Sequence, residues 1–270
     1  MTNKSRRARA LSRILLVTGA VVLSMFATNL ASEGRTLLGS KVSLGLGVGA
    51  VPDYEGSDDY EGAPLLFYRM DWEHRYFEFA AGQFKANLLA HPGIEFGPVV
   101  KFRRNAWVDA DDNRVKRLKG DGDAIEVGPF VGITLGKIDA NLQLVKDING
   151  GHGGYVTTAE AGYTMTFSNK KTQLRTSLET TYGSDDYMDG YFSIDTANAI
   201  RSRLDRYDAD DDFRDVGLGL TLNHSLSPSW TVSGIFKYQR LLGDAEDSPV
   251  VDDQGDENQY FAGAMGIYHF

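Results

Sequence analysis

From residue 41 to the C-terminus, apolar and polar side chains alternate with a period of two, over stretches of about ten residues. In 215–226 the even positions are Val216, Leu218, Leu220, Leu222, His224 and Leu226, and the odd ones are Asp215, Gly217, Gly219, Thr221, Asn223 and Ser225. Successive side chains of a strand point to opposite faces, so this segment is an extended strand with one apolar and one polar face. The next segment keeps the phase, with Trp230, Val232, Gly234, Phe236 and Tyr238 in the apolar series. Similar ladders run over 41–51, 94–103, 123–135, 137–147, 155–167 and 171–182.

A soluble β-sandwich also alternates, but its strands average about 5–6 residues, whereas these ladders run over about 9–13. A strand of about 9–11 residues, tilted, crosses a bilayer. The connections alternate in length as well. Gly136, Ser168–Lys170 and Ser227–Ser229 are short, while 104–122, 183–212 and 243–258 are long and rich in Asp and Gly. Short periplasmic turns facing long extracellular loops are the rhythm of an outer-membrane barrel. The pattern predicts an all-β fold: a closed antiparallel transmembrane β-barrel of about 12 strands, with 10 as the alternative.

The strand count turns on residues 75–89, where the apolar phase switches from Phe77 and Phe79 to Phe84, Ala86 and Leu88, with Gly82 at the break. A turn at Gly82 makes two short strands and a total of 12. A bulge there would leave an odd number, which single-chain bacterial barrels avoid. The last ladder ends on Tyr268 and Phe270, which resemble the terminal aromatic signal read by the barrel-assembly machinery and place that end in the periplasm. Trp72 and Trp230 then fall beside periplasmic turns, where an aromatic girdle belongs. Lys146 and Arg240 occupy the apolar phase near the outer ends of their strands, which suits contact with lipopolysaccharide phosphates. The polar phase carries Glu95, Lys101, Glu126, Lys137, Asp139, Glu160, Arg175, Glu179 and Lys237. Charges of both signs facing inward predict a narrow or closed lumen.

Upstream of the ladders, residues 1–13 hold Lys4, Arg6, Arg7, Arg9 and Arg13 without an acid, and an apolar run follows from Ile14 to Phe26. This is the n-region and h-region of a secretory signal, too short for a spanning helix. Residues 1–31 are read as a signal peptide and 32–270 as the barrel domain, with cleavage near Ala27–Ser32. The Arg6-Arg7 pair lacks the apolar continuation of a twin-arginine signal. Removing those five positive charges from the formal net charge of −9 leaves −14, which argues against nucleic acid as a partner. The chain has no cysteine, which excludes disulfides and thiol chemistry.

Sites for chemistry are weak. Asp109, Asp111 and Asn113, and likewise Asp208, Asp210 and Asp212, match the first EF-hand positions. Arg114 or Phe213 then stands where Gly is needed, and Gly120 or Gly219 where Glu is needed. The glycine sets Gly45-Gly47-Gly49 and Gly150–Gly154 do not form a nucleotide loop, and the five histidines show no zinc spacing. His224 beside Ser225 is the nearest approach to a catalytic pair, and a structural role suits it better. The reading is of a non-enzyme without cofactors.

Five segments resemble the MltA-interacting protein and OmpV family: Gly45–Gly62, Asn149–Tyr155, Asp185–Phe192, Arg214–Leu222 and Arg240–Val251, followed by the terminal Tyr-His-Phe. The resemblance implies a barrel in the cell outer membrane that scaffolds a murein hydrolase and synthase, with outer-membrane lipid, lipopolysaccharide and the assembly machinery as further partners. Relatives linked to adhesion and stress response imply a surface role as the alternative, and a narrow channel is the third. The family defines no catalytic residues. The predicted orientation leaves the periplasmic side only short turns and residues 33–40.

Overall fold

A computed structural model describes residues 40–120 and 122–270. The expected signal peptide at 1–31 lies outside the described residues. Twelve strands follow in chain order: β1 Lys41–Pro52, β2 Tyr60–Trp72, β3 Arg75–Ala80, β4 Gln83–Asn87, β5 Ile94–Arg103, β6 Ala124–Leu135, β7 Ile138–Asp147, β8 Tyr155–Thr166, β9 Thr172–Gly183, β10 Asp212–Ser227, β11 Trp230–Leu241 and β12 Asn258–His269. Each pairs antiparallel with its sequence neighbours, and β12 pairs with β1, so the sheet closes. In the closing seam Gly47 lies opposite both Leu65 of β2 and Met265 of β12. Closure leaves no sheet edge for lipid to meet along most of the wall.

The break in phase at Gly82 is a turn. Ala81 and Gly82 both have positive φ, 49° and 73°, and join β3 to β4 as a two-residue hairpin. Two consecutive left-handed residues define a turn whose twist matches the flanking strands, and glycine in the second place lowers its cost. Glu73 and His74 make the corresponding turn between β2 and β3.

The apolar phase faces outward. Leu46 and Val48 are each about 70% exposed, and Leu66, Leu144, Leu178 and Val232 also project from the wall. These residues form the lipid-facing band, and rings gather at its two ends. At the outer end stand Tyr60 and the contacts Phe236–Tyr260–Tyr238 and Tyr155–Tyr182–Phe213. At the periplasmic end Trp230 meets Tyr268 edge-on at 5.1 Å, Tyr268 meets Phe270 at 4.8 Å, and Trp72 contacts Phe77 at 5.0 Å. Rings with one apolar and one wet end settle at such interfaces.

The lumen has two unlike walls. On β12, β1 and β2 it is apolar, built from Ile267, Met265, Phe261, Val51, Leu65 and Phe67. Inward glycines make room for them: a Cβ on Gly47 would run into the Ala264 carbonyl and lie 2.5 Å from the Met265 Cβ. From β5 through β11 the inward side chains are predominantly charged or polar.

Candidate functional site

The outer loops fold onto one another. Helix α1 (Asp185–Phe192) and helix α2 (Thr196–Ser202) fill the β9–β10 connection, and the one-turn α3 (Gly243–Glu246) lies between β11 and β12. Asp195 caps α2 by accepting from the Asn198 N–H, which satisfies one of the orphan donors of its first turn. A hydrophobic cluster of Tyr54, Trp107, Val115, Leu118, Ile194, Leu204 and Val250 draws on four separate connections. Polar ties reinforce it. The Asp111 N–H donates to Asp53, the Lys119 N–H to Asn198, and the Ser248 hydroxyl to the Phe192 carbonyl. This is a small folded cap on the outer mouth of the barrel.

Beneath the cap lies a buried charge cluster. Arg103, at the outer end of β5, donates from Nε to Glu126 at 2.6 Å and from Nη1 to Glu55 at 2.8 Å. Arg214 reaches the same Glu55 oxygen at 2.9 Å and also pairs with Asp215. The Tyr187 hydroxyl sits among them, accepting from both guanidinium groups and donating to Glu55 at 2.8 Å. His152 accepts from the Gly154 N–H on Nδ1, so its Nε2 donates to Glu126 at 3.0 Å. Lys101 stands 4.0 Å from Glu126.

Each member depends on the others. Burial pushes the Glu55 carboxyl toward its neutral form, but Arg214 and Arg103, helped by the Tyr187 hydroxyl, outweigh it and hold the group below its ordinary range. Burial raises the Tyr187 phenol, which keeps it protonated and able to donate. A buried charge without such partners is strongly unfavourable, so the cluster holds together as a unit.

The cluster joins the cap to the wall. Glu55 comes from the β1–β2 loop, His152 from the β7–β8 loop and Tyr187 from α1, whereas Arg103, Glu126 and Arg214 belong to strands. The register between β9 and β10 shifts between Phe213 and Asp215, and this bulge lets the adjacent Arg214 and Asp215 both face inward. Four of the five segments that resemble the family supply Glu55, His152, Tyr187 and the Arg214–Asp215 pair. The fifth adds Leu241, Ala245 and Val251 to the apolar packing around Tyr187 and Phe192.

Lower in the lumen the charges pair in smaller sets. Lys237 donates to Glu179 at 2.6 Å, Arg175 binds Asp139 and Glu160, and Arg69 binds Asp71 and Glu78. Exposure is uneven near the periplasmic end, where Arg175 and Thr231 are buried but parts of other pairs are not. Glu126 and Asp215 are fully buried, whereas the side chains of Asp139, Arg69 and Asp71 are 16%, 17% and 40% exposed. The charges under the cap are out of water, whereas Asp139, Arg69 and Asp71 near the periplasmic end are in partial contact with solvent.

The residues singled out in the sequence fall as follows. Tyr268 lies opposite Leu44 and Trp230 in the ladder, and the Phe270 N–H donates to the Val42 carbonyl, so both terminal aromatics sit at the closing seam. Lys146 is exposed on the outer face and has no ion-pair partner among the described residues. Arg240 shares that face but binds Glu246 at 2.7 Å and Glu257 at 3.2 Å, so its charge is already met. Lys137, expected in the lumen, lies exposed in the Gly136–Lys137 turn, because β7 begins one residue later. His224 bonds to Thr172 across the lipid-facing side, at 2.9 Å, away from the lumen. Glu55, Arg103, His152, Tyr187 and Arg214 were not anticipated as a group. Arg103 shares the inward phase of Lys101 and could have been found that way.

A closed antiparallel sheet with an apolar outer band between two aromatic girdles defines an outer-membrane β-barrel protein. The chain belongs to the family of MltA-interacting protein MipA, which matches residues 44–270. Outer membrane protein Omp26La of Vibrio anguillarum is 28% identical over 158 residues, covering 58% of this chain and 59% of that protein. The chain thus spans about 59% of the length of that relative. Among solved structures, an outer-membrane channel from Pseudomonas putida F1 has a TM-score of 0.44 at 9% identity, covering 90% of this chain and all of that one. The anion-selective porin from Comamonas acidovorans has a TM-score of 0.32 at 10% identity, covering 86% and 98%.

Proposed function

We propose that the protein is a non-enzymatic, non-conducting anchor of the outer membrane that faces the periplasm and holds peptidoglycan-remodelling enzymes, a murein hydrolase and synthase, near the wall. The observation that carries this reading is the asymmetry of the lumen, with the Arg103–Glu126–Glu55–Arg214 cluster out of water under the cap and Arg69 and Asp71 in partial contact with solvent near the periplasmic end. A cap with its own hydrophobic core closes the route outward, which leaves the periplasmic mouth as the accessible recess of the barrel. The short turns at that end, such as Glu73–His74 and Gly136–Lys137, are a rim around the recess. The family's description as an interactor of MltA supports the same direction.

Affinity purification of the full chain from envelopes tests the proposal. Murein hydrolase and synthase are expected to co-purify, and to be lost when the rim charges Glu73, Arg75 and Lys137 are replaced together. Their absence from a correctly assembled, heat-modifiable barrel would count against the scaffold. An acidic, rigid cap also suits a surface-binding role, and cell-attachment assays of a strain lacking the protein separate that reading from the first.

A further inference from the structure

Six exposed cations gather where two loops of the cap meet. After β5 the chain makes one 3-10 turn, Val115–Arg117, and Val115 and Leu118 are buried in the apolar cluster of the cap. Residues three apart in such a turn lie on one side, so burying 115 and 118 turns their neighbours outward, and Arg114, Lys116, Arg117 and Lys119 are all exposed. Helix α2 and the residues after it, from the β9–β10 connection, do the same. Asn198, Ser202 and Leu204 are buried, while Arg201 and Arg203 are exposed. One side chain ties the two segments together. The Asn198 amide oxygen accepts from the Lys119 N–H at 2.8 Å and from the Arg201 guanidinium at 2.5 Å, and the amide nitrogen donates to the Lys119 carbonyl at 3.3 Å.

These cations are unmatched, which sets them apart. Elsewhere in the outer half Arg103, Arg104, Arg214 and Arg240 each pair with a carboxylate. None of the six does so among the described residues. Two acids of the same segments are spent on backbone groups: Asp112 accepts from the Arg114 and Val115 N–H groups, and Asp195 from the Asn198 N–H. Asp111 and Asp205 are exposed beside the patch without pairing with it. Lys146, at the outer end of β7 between the strands that carry the two loops, continues the unmatched charge downward. It lies opposite Tyr155, one of the outer ring of aromatics.

Four of the six are arginines, whose planar fork matches two phosphate oxygens at once. The net charge of −9 opposes a polyanion arriving from solution, and exposed charges act over only about 8 Å in physiological salt. A partner already held at that surface escapes this cost, and the outer leaflet supplies one. We propose that the patch binds phosphate groups on the core sugars of lipopolysaccharide standing beside the cap, with Lys119 and Arg201, joined through Asn198, at its centre. The site lies outside the lumen. It rests on the cap facing outward and not on the scaffold reading.

Binding of a deacylated, phosphorylated core oligosaccharide to the full chain, folded in detergent free of lipopolysaccharide, tests the proposal. The probe lacks acyl chains, so the lipid-facing band of the barrel takes no part. Saturable binding is expected, weakening as salt rises. Lys119→Gln with Arg201→Gln should lower the affinity about tenfold, the loss of two exposed ion pairs at the upper end of their range. Lys170→Gln with Lys171→Gln removes the same charge from an exposed periplasmic turn and should change the affinity less than about twofold. Equal losses in the two double variants overturn the proposal, and so does a dephosphorylated core bound as tightly as the phosphorylated one. An oligonucleotide with the same number of phosphates should bind more weakly than the core, and tighter binding would assign the patch to nucleic acid and overturn the proposal. If Lys119→Gln with Arg201→Gln loses heat-modifiable migration, Arg114→Gln with Arg117→Gln is read in its place by the same criteria.

Discussion

The two ends of the barrel are built from the same alternating strands yet do opposite things with charge. At the outer end, Arg103, Glu126, Arg214 and Asp215 lie within or against the cap and almost out of water, with Tyr187 and His152 satisfying them. At the periplasmic end, Arg69, Asp71 and Glu78 pair in partial contact with solvent. The first arrangement is rigid because removing one member leaves another buried and unpaired. The second gives way cheaply because water replaces a lost partner. Charge in a barrel lumen can therefore act as a seal or as a wettable lining, and burial decides which.

The largest effect should come from breaking the seal. Arg103→Met leaves Glu126 without its main partner and Glu55 with only Arg214 and Tyr187, and losing one side of a buried pair costs about 3–5 kcal/mol. Arg69→Met at the open end should cost about 1 kcal/mol or less, as for partly solvated pairs. The midpoint of heat-modifiable migration in detergent compares the two, and equal losses would erase the distinction. Tyr187→Phe removes one hydroxyl that bonds three charged groups. It should destabilise by about 2 kcal/mol, in the range for hydrogen bonds to charges. That loss should appear as faster proteolysis of the 104–123 and 184–211 loops while the strands stay protected.

Acidification should act on the same end. The Glu55 carboxyl is held below its ordinary 4.5, so its contribution is complete above that pH and is lost as pH falls through the lowered value. Cap proteolysis should therefore rise only below about pH 4.5, and Glu55→Gln should flatten that rise. A rise centred near neutral pH would assign the sensitivity to another group. The smallest effect concerns the outer face. Arg240→Gln should leave lipopolysaccharide retention unchanged, because Glu246 and Glu257 already meet that charge, whereas Lys146→Gln should lower retention slightly. Loss of retention in the Arg240 variant alone would reverse that assignment.

Much of the wall was legible because the signal is local. Val216, Leu218, Leu220 and Leu222 alternate with polar neighbours whatever lies across the sheet, and the phase switch at Gly82 announced the hairpin that makes the strands twelve. The inward charges Lys101, Glu126, Glu160, Arg175, Glu179 and Lys237 were legible for the same reason. The seal was not. Glu55, His152 and Tyr187 lie in loops, where no period exists, and Glu55 and Arg214 meet across 159 positions of chain. The bulge beside Asp215 breaks the alternation where two neighbours, Arg214 and Asp215, both face inward.

The proposed periplasmic anchor requires a lumen closed to the outside and open to the periplasm. The chain has no native cysteine, so single thiols report access directly. Thr164→Cys lies in the periplasmic half of the lumen and Asp253→Cys on the cap surface. A membrane-impermeant maleimide added to intact cells should label Asp253→Cys and leave Thr164→Cys untouched. After the outer membrane is opened from the periplasmic side, Thr164→Cys should label fully. Labelling of Thr164→Cys in intact cells at the rate of Asp253→Cys would mean a lumen open to the outside.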